Sequence, residues 1–228
     1  MAQKVAFFDI DGTVFRSSLL IELVEKLIEE NVFPPEASFE YEEAYRDWVN
    51  REGSYDAYIT AVIETFLRHI KGVPYGHVLD YGRDMVRWHG KRVYRYTRDL
   101  IQKLKQDDYF IVAISQSPKA ILDEFCQNYG FDKVYGRIYE IGPTDRFTGV
   151  VTDETIISDK ANIIKRVFEK EDVSPQDSIA VGDTEGDISM LSSVTKPICF
   201  NPNQALYDFA KTAKWKVVVE RKDVIYEL

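Results

Sequence analysis

The sequence is poor in cysteine: Cys126 and Cys199 are the only two among 228 residues. Two thiols cannot supply the disulfide framework on which small secreted domains depend. We therefore expect each cysteine to be a small buried hydrophobic residue rather than a ligand or a nucleophile. A reducing compartment, the cytoplasm, is the localisation that this predicts.

The sequence also lacks excess positive charge and long apolar runs. It has 29 lysines and arginines against 38 aspartates and glutamates, for a net charge of −9. This balance argues against nonspecific attraction to nucleic acid or to anionic membranes. No apolar run approaches the roughly 20 residues of a membrane helix, and the N-terminus shows no signal-peptide pattern. We expect no nucleic-acid partner and no membrane partner.

The pattern of apolar residues predicts an α/β protein. Short buried strands are expected at Val5–Phe8, Tyr109–Ile114, Ser178–Val181, Pro197–Phe200 and Lys216–Val219. Helical patterns occur between them at Tyr94–Lys105, Lys119–Asn128, Lys160–Glu169 and Asn203–Thr212. Strands that alternate with helices predict a Rossmann-like parallel sheet with helices on both faces.

Residues 17–92 interrupt this alternation, because they contain helical patterns and no convincing strand. After Ser17 or Ser18 as the N-cap, four helices are expected, at the apolar stripe Leu19–Ile28 and at Phe39–Asn50, Tyr55–Ile70 and Tyr75–Trp88. We interpret residues 17–92 as an inserted α-helical bundle that caps a catalytic core of residues 1–16 and 93–228. A small β-hairpin, Val134–Ile141 with Phe147–Thr152, is expected at the edge or flank of the core sheet.

The first strand ends in two acidic residues, Asp9 and Asp11, followed by Gly12 and Thr13. Alternation along a strand would send both carboxylates to the same face, where like charges repel unless a cation lies between them. A carboxylate can attack phosphorus to form an acyl-phosphate, and Asp9, directly at the strand end, is the expected nucleophile. Asp11 is the expected general acid and base, which protonates the leaving oxygen and later deprotonates water.

Three further signals follow in order: Ser115 after a strand, Lys160 at a helix start, and the run from Gly182 to Asp187, which contains Asp183. In an open parallel sheet the carboxyl ends of the strands form the edge where ligands bind, so these residues are expected to converge. Ser115 would hold phosphate oxygens, and Lys160 would neutralise the nucleophile and the transferring phosphoryl group.

Carboxylates and phosphate at one place require a hard cation, and Mg²⁺ binds through one or two carboxylates, phosphate oxygens and water. We expect Asp9 and Asp183 to be its carboxylate ligands, with the backbone carbonyl of Asp11 as a third ligand. Asp187 would complete this metal site by orienting metal-bound water or Lys160. Asp-x-Asp-Gly also occurs in calcium loops, which need a glutamate at their twelfth position. The twelfth residue counted from Asp9 is Leu20, so a calcium loop is not expected.

On these four motifs the chain resembles the haloacid-dehalogenase-like (HAD) phosphohydrolases, within the helical-cap subgroup that includes phosphoserine phosphatase. The motifs extend from Asp9 to Asp187, and the run Asp187–Leu191 is also similar to that subgroup. The resemblance implies a Rossmann-like core, Mg²⁺ dependence and a phospho-aspartyl intermediate. It also implies the same roles for the motif residues: Asp9, Asp11, Ser115, Lys160 and Asp183.

The substrate contacts are predicted from residues that flank these motifs. Thr13, Arg16 and Gln116 join Ser115 and Lys160 as expected substrate-binding residues, and Gln116 stands where the subgroup has a glycine. Further candidates in the cap are Arg46, Trp48, Arg51, Tyr55, Tyr58, His69 and Arg87. Aromatic residues at helical spacing are also typical of a bundle core.

The expected function is Mg²⁺-dependent hydrolysis of a small phosphorylated metabolite, phosphoserine-like, by a monomer or homodimer. A phosphoprotein (serine) phosphatase is one alternative, although a cap of roughly 75 residues would hinder access of a folded protein. A noncatalytic, phosphate-binding regulatory module is the other alternative. It is disfavoured because a binding site does not need both a nucleophile such as Asp9 and an acid–base group such as Asp11.

Overall fold

The computed structural model describes residues 2–152 and 159–228, which fall into two compact units. The first unit comprises residues 2–17, 92–137 and 159–228. The second comprises Ser18–Lys91 and Ile138–Thr152.

The strands are β1 (Gln3–Phe8), β2 (Tyr109–Pro118), β3 (Lys133–Ile141), β4 (Phe147–Thr152), β5 (Val173–Gly182), β6 (Lys196–Phe200), β7 (Lys216–Arg221) and β8 (Val224–Glu227). The helices are α1 (Leu19–Glu29), α2 (Phe39–Asn50), α3 (Tyr55–Ile70), α4 (Tyr75–His89), α5 (Arg95–Gln106), α6 (Lys119–Gln127), α7 (Lys160–Lys170), α8 (Ile188–Leu191) and α9 (Gln204–Ala213). Short 3₁₀ turns occur at Pro35–Ser38 and Glu185–Asp187.

A parallel sheet with strand order β3-β2-β1-β5-β6-β7 forms the centre of the first unit. Phe8 of β1 lies opposite Ala113 of β2 on one side and Val181 of β5 on the other. The predicted Rossmann-like parallel sheet is thus confirmed. An additional strand, β8, pairs antiparallel with β7 at the far edge, and its short, mostly exposed sequence gave no strand signal.

Helices cover both faces of this sheet, as predicted. Val5 and Phe7 belong to an apolar cluster with residues of α7, α8 and α9. Phe8, which alternation directs to the opposite face, packs edge-on against Phe131 at a ring distance of 6.0 Å. Helices α5 and α6 contact β2. From Val5 to Phe8 the sequence of β1 is apolar throughout because both faces of this part of the strand are buried.

The second unit contains α1 to α4, and its apolar centre is built around Phe33 and Phe66, whose rings are 6.0 Å apart. Helix α1 starts at Ser18, whose hydroxyl accepts a hydrogen bond from the Leu20 amide at 3.2 Å. The choice between Ser17 and Ser18 as N-cap is thereby settled. The predicted helical bundle is present within residues 18–91.

The β-hairpin needs a correction. β3 begins beside β2 in the first unit, but its second half pairs antiparallel with β4 in the second unit, as the predicted hairpin. Tyr139 packs on Phe66 with ring centroids 5.1 Å apart, and the Gly72 amide donates to the Phe147 carbonyl at 2.8 Å. These contacts place residues 138–152 with the helices, whereas the sequence placed them in the core range 93–228. The other domain boundaries stay a prediction, and residues 153–158 lie outside the described residues.

The chain leaves the first unit and returns to it along adjacent backbone segments. Phe15 and Val93 form an antiparallel bridge. The Arg16 amide donates to the Arg92 carbonyl at 2.9 Å, and the Tyr94 amide donates to the Val14 carbonyl at 3.0 Å. The outgoing and returning segments therefore form a short two-stranded ladder within the first unit.

Both cysteines are free and buried, as expected. Within residues 2–152 and 159–228 no helix combines the length and the apolar character that a membrane crossing requires.

Candidate active site

The carboxyl ends of β1, β2 and β5 bring the predicted acidic and hydroxyl residues together. The Asp9 amide donates to the Val181 carbonyl of β5 at 2.9 Å, which continues the sheet pairing up to the carboxylate. Gly12 has φ +83°, and a Cβ at this position would overlap Oδ2 of Asp183. Only glycine therefore allows the first motif to turn this close to the fourth.

Lys160 joins two of the carboxylates. Its ammonium lies 2.5 Å from Oδ1 of Asp9 and 2.5 Å from Oδ1 of Asp187, and all three side chains are buried. Burial alone lowers the pKa of Lys160, but the charges of Asp187 and Asp9 outweigh it and raise that pKa. Lys160 is therefore a fixed positive charge beside Asp9, the predicted nucleophile.

Asp187 is held from two sides. Its Oδ2 accepts hydrogen bonds from the amides of Asp183 and Thr184, at 3.0 and 3.1 Å, while its Oδ1 holds Lys160. The Thr184 side chain in turn accepts from the backbone at Asp187 in a capping box. This fixes the loop after β5 and holds Asp187 beside Lys160. Its expected role in orienting Lys160 or metal-bound water stays a prediction.

Three carboxylates form a compact acidic cluster. Oxygens of Asp9, Asp183 and Asp187 lie within 4.8 Å of one another. Burial raises the pKa of Asp9 to about 7. The charges of Asp187 and Asp11 add to this rise, and the charge of Lys160 opposes it. Burial, with the charges of Asp9 and Asp187, raises the pKa of Asp183 well above its ordinary value. Lys160 alone does not balance this charge, and an all-oxygen donor set of this kind fits a hard cation such as Mg²⁺.

Asp11 lies against β2 rather than in that acidic cluster. Its Oδ2 accepts hydrogen bonds from the hydroxyls of Ser115 and Ser117, the latter at 2.9 Å. The Ser117 amide donates to Oγ of Ser115 at 2.9 Å. Ser117 was not among the predicted site residues, although its spacing of two from Ser115 was a signal for it, since alternate residues of a strand share a face.

Thr13 holds Asp183 in place. Its hydroxyl donates to Oδ1 of Asp183 at 3.0 Å. The Thr13 carbonyl accepts from the Thr97 hydroxyl at 3.0 Å, which fixes the loop after β1. The structure thus places Thr13 against a predicted metal ligand, and its expected contact with substrate stays a prediction.

The two other predicted specificity residues have different surroundings. Arg16 binds Glu220 through Nη2 at 2.7 Å and the Val93 carbonyl through Nε at 2.9 Å. Gln116 is exposed, and its Oε1 accepts from Nη2 of Arg137 at 2.9 Å. Arg137 was not predicted as a site residue, because the sequence did not show which strand lies next to β2.

The predicted cap candidates interact mainly with one another and with neighbouring helices. Trp48 stacks on Tyr58, with ring centroids 5.6 Å apart and planes inclined by 16°. Tyr58 is buried and also contacts the Tyr55 ring. His69 bonds to Glu40 at 2.9 Å, Arg87 pairs with Asp84, and Arg46 and Arg51 are exposed. The aromatic members thus form a cluster within the bundle, as the alternative interpretation held.

Comparison with known proteins gives the family. The sequence-family model of the haloacid dehalogenase-like hydrolases matches residues 6–192, which include all four motifs. The chain is similar to a phosphoserine phosphatase of Archaeoglobus fulgidus, with 26% identity over 209 residues that cover 91% of this chain. The match spans only 55% of the length of that relative.

Two further comparisons cover almost the whole of both chains. A histidinol-phosphatase of Neisseria meningitidis serogroup C is 22% identical over 222 residues, which are 95% of this chain and 98% of the relative. The solved structure of a phospho-aspartyl intermediate analogue of phosphoserine phosphatase matches with a TM-score of 0.65 and 19% identity, covering 98% and 96% of the chains. At that identity the structural match shows the fold. The family model, which matches well over half of the chain, establishes that this chain belongs to the haloacid dehalogenase-like hydrolases.

Proposed function

We propose that this chain hydrolyses a small phosphomonoester through a phospho-aspartyl intermediate on Asp9, with Mg²⁺ as cofactor. The observation that carries this proposal is the Asp9 carboxylate, buried at the end of β1 and fixed by Lys160 at 2.5 Å. A carboxylate held in one orientation beside a permanent positive charge is suited to in-line attack on phosphorus.

In the first step an oxygen of Asp9 forms a bond to phosphorus while the bond from phosphorus to the ester oxygen breaks. Asp11, protonated at this stage, gives its proton to the departing alcohol oxygen. In the second step Asp11, now a carboxylate, takes a proton from a water molecule that attacks phosphorus. Inorganic phosphate leaves and the Asp9 carboxylate is restored. Hydrogen bonds from Ser115 and Ser117 to Oδ2 of Asp11 orient this group through both steps.

Asp9 and Asp183, with the backbone carbonyl of Asp11, are the groups that would hold Mg²⁺. The acidic cluster of Asp9, Asp183 and Asp187 supports this assignment, because its buried charge exceeds what Lys160 neutralises. When bound, Mg²⁺ supplies positive charge to the phosphate oxygens. Thr13 keeps Asp183 in position, and Asp187 acts by fixing Lys160.

Relatives named phosphoserine phosphatase and histidinol-phosphatase support a small phosphorylated metabolite as the substrate. Two buried thiols without a disulfide fit a reducing compartment such as the cytoplasm. A monomer or a homodimer would suffice, since the catalytic groups named here all come from one chain.

The test is phosphate release from a panel that contains phosphoserine, histidinol phosphate, phosphoethanolamine, p-nitrophenyl phosphate and a phosphoserine peptide, with MgCl₂ or with chelator. Asp9→Asn is assayed beside the wild type, and Asp177→Asn, a change at a half-exposed aspartate paired with Lys196, is the matched control. We expect Mg²⁺-dependent release from a small ester, lost in Asp9→Asn and kept in the control.

Release from the peptide alone would favour the phosphoprotein phosphatase. Release from no ester would leave the noncatalytic module as the better explanation. Near-normal turnover by Asp9→Asn would overturn the assigned nucleophile.

A further inference from the structure

Arg137 stands out because its guanidinium is only partly used. It is half-buried near the middle of β3, and its Nη2 donates to Oε1 of Gln116 at 2.9 Å. Its Nε is buried and has no hydrogen-bond partner among the residues that the structure describes. A buried donor of a charged group is costly to leave unpaired, so this guanidinium is suited to a ligand with oxygen acceptors.

The position of Arg137 on the sheet directs it to the catalytic edge. Tyr135 packs against the apolar cluster on the α7 face of the sheet, and Arg137, two residues further, shares that face. Along β2 the same face carries Ile114 and then Gln116. Along β1 it carries Phe7, and Asp9 follows two residues later, directly after the end of the strand. Because Phe8 pairs with Ala113 and Ile114 with Tyr135, Asp9 lies level with Ile114 and Tyr135. Gln116 and Arg137 lie two residues further along their strands, beyond Asp9 on the same face.

An irregularity of β2 accompanies the contact of Gln116 with Arg137. Ile114 pairs with Tyr135 and Pro118 with Arg137, so four steps along β2 match two steps along β3. The extra residues form a bulge, a feature that re-aims side chains beside active sites. Ser115 and Ser117 both bond to Asp11, so the alternation of side chains continues through this stretch. Gln116, between them, points to the other side, where its exposed amide reaches Arg137.

Among the described residues no carboxylate forms an ion pair with Arg137, which leaves its positive charge open to a ligand. Lys160 is bound by Asp9 and Asp187, and Lys119, which follows β2, has both carboxylate oxygens of Asp123 at 2.7 Å. Gln116, by contrast, offers Arg137 only a neutral amide oxygen. The guanidinium fork fits the two oxygens of a carboxylate. Its single charge balances a carboxylate monoanion, whereas a second phosphate dianion would add negative charge beside the acidic cluster.

We propose that Arg137, oriented by Gln116, is a specificity-determining residue that binds a carboxylate of the substrate while the phosphoryl group lies at Asp9. This rests on the proposed phosphatase function. The strands of Arg137 and Asp9 are separated by β2, which makes about 10 Å across the sheet, two interstrand spacings. Arg137 also lies two residues further along its strand than the level of Asp9, which is about 7 Å in the strand direction. The reach of the two side chains shortens this separation to the size of a metabolite whose carboxylate and phosphate are a few bonds apart.

The experiment measures substrate preference with a matched pair of esters. Phosphoserine and phosphoethanolamine differ only by the carboxylate, so the ratio of their kcat/KM values reports its recognition. We expect the wild type to prefer phosphoserine. Arg137→Gln should reduce that ratio about 10- to 100-fold, as for loss of a hydrogen-bonded charge pair. Arg166→Gln, a change at an exposed arginine of α7, is the matched control and should keep the ratio.

Gln116→Ala provides a second variant at an exposed position where folding is not at risk, and it should reduce the ratio by a smaller factor. The role of Arg137 would be overturned if the wild type showed no preference for phosphoserine, or if the variants lowered kcat/KM equally for both esters. Either result would leave the proposed phosphatase activity standing. Absence of phosphate release from both esters and from p-nitrophenyl phosphate in the wild type would overturn the proposed function, and this role with it.

Discussion

Ser117 donates its hydroxyl to Oδ2 of Asp11 across 2.9 Å, and Ser115 donates to the same oxygen. The two donors come from β2, and the acceptor lies in the loop three residues beyond the end of the neighbouring strand β1. The two hydroxyls therefore hold the proposed acid–base group against β2. Orientation of such a group matters because proton transfer requires the donor and acceptor oxygens to be within hydrogen-bond reach.

Ser117→Ala should therefore lower kcat by about 10-fold, the equivalent of one hydrogen bond to a charged group. KM should change less, because the hydroxyl contacts Asp11 rather than substrate in the proposed mechanism. The measurement is steady-state kinetics on the best ester of the panel. Ser193→Ala, which removes a hydroxyl bonded to the Ser189 carbonyl, is the control; a kcat for Ser117→Ala equal to that of the control would contradict the proposed positioning.

Lys160→Met should destabilise the fold as well as abolish turnover. Removing the ammonium leaves Asp9 and Asp187 buried beside each other without their partner, a change that costs about 3–5 kcal/mol. The size of this destabilisation is the difference in the free energy of unfolding between the variant and the wild type, measured by urea titration with chelator present. Lys165→Met on the exposed side of the same helix should cost far less. Equal stability of the two variants would show that the ion pair is not needed to hold the cluster.

Mg²⁺ should stabilise the protein more strongly as pH rises. In the metal-free protein burial raises the pKa of Asp9 from 3.8 to about 7, so its protonated form is favoured in the folded state. The stability that Asp9 contributes is therefore greatest below its unfolded pKa and is lost as pH rises toward 7. Cation binding requires the ionised form and offsets this loss.

Melting temperatures from about pH 5 to about pH 8, with MgCl₂ or with chelator, measure this linkage. We expect a gain of about 5–10 °C from Mg²⁺ at the upper end and under about 2 °C at the lower end. Asp183→Asn should remove most of the gain. A gain of the same size at every pH would mean that Mg²⁺ binds away from the titrating carboxylates.

Gly12→Ala should damage the site without the loss of any polar group. Gly12 has φ +83°, and an added Cβ would overlap Oδ2 of Asp183. We expect at least about a 10-fold loss of kcat/KM and weaker stabilisation by Mg²⁺, since Asp183 must move. Gly76→Ala in α4, where a Cβ meets open space, is the matched control and should be neutral or slightly stabilising. Wild-type kinetics in Gly12→Ala would show that the close approach has no catalytic role.

The sequence allowed the parallel sheet and the convergence of the four motifs to be predicted, because each depends on local patterns. Apolar runs mark the buried strands, and in a parallel sheet the residues after their carboxyl ends must share an edge. Asp9 and Asp187 meet for this reason, and Lys160 joins them from the first turn of α7. Ser117 and Arg137 could not be placed in the same way, because their positions depend on the bulge in β2 and on the pairing of β3 with β2.

The hairpin shows the same limit at the level of domains. Its two strands and turn are local features and were predicted at nearly the right residues. Its membership in the second unit depends on Tyr139 and Phe66, which are far apart in sequence and carry no signal that they pack together. Strand β8 is short and mostly exposed, so its pairing with β7 is visible only in the folded chain.

The bridge between Phe15 and Val93 makes the helical insertion an exchangeable module. An insertion whose two ends are hydrogen-bonded neighbours places no condition on its own length, and its composition is constrained where its helices pack on the hairpin, as Phe66 does on Tyr139. Related chains can therefore lengthen, shorten or rewrite these helices over evolution while β1 and β2 keep their register and the proposed nucleophile keeps its place.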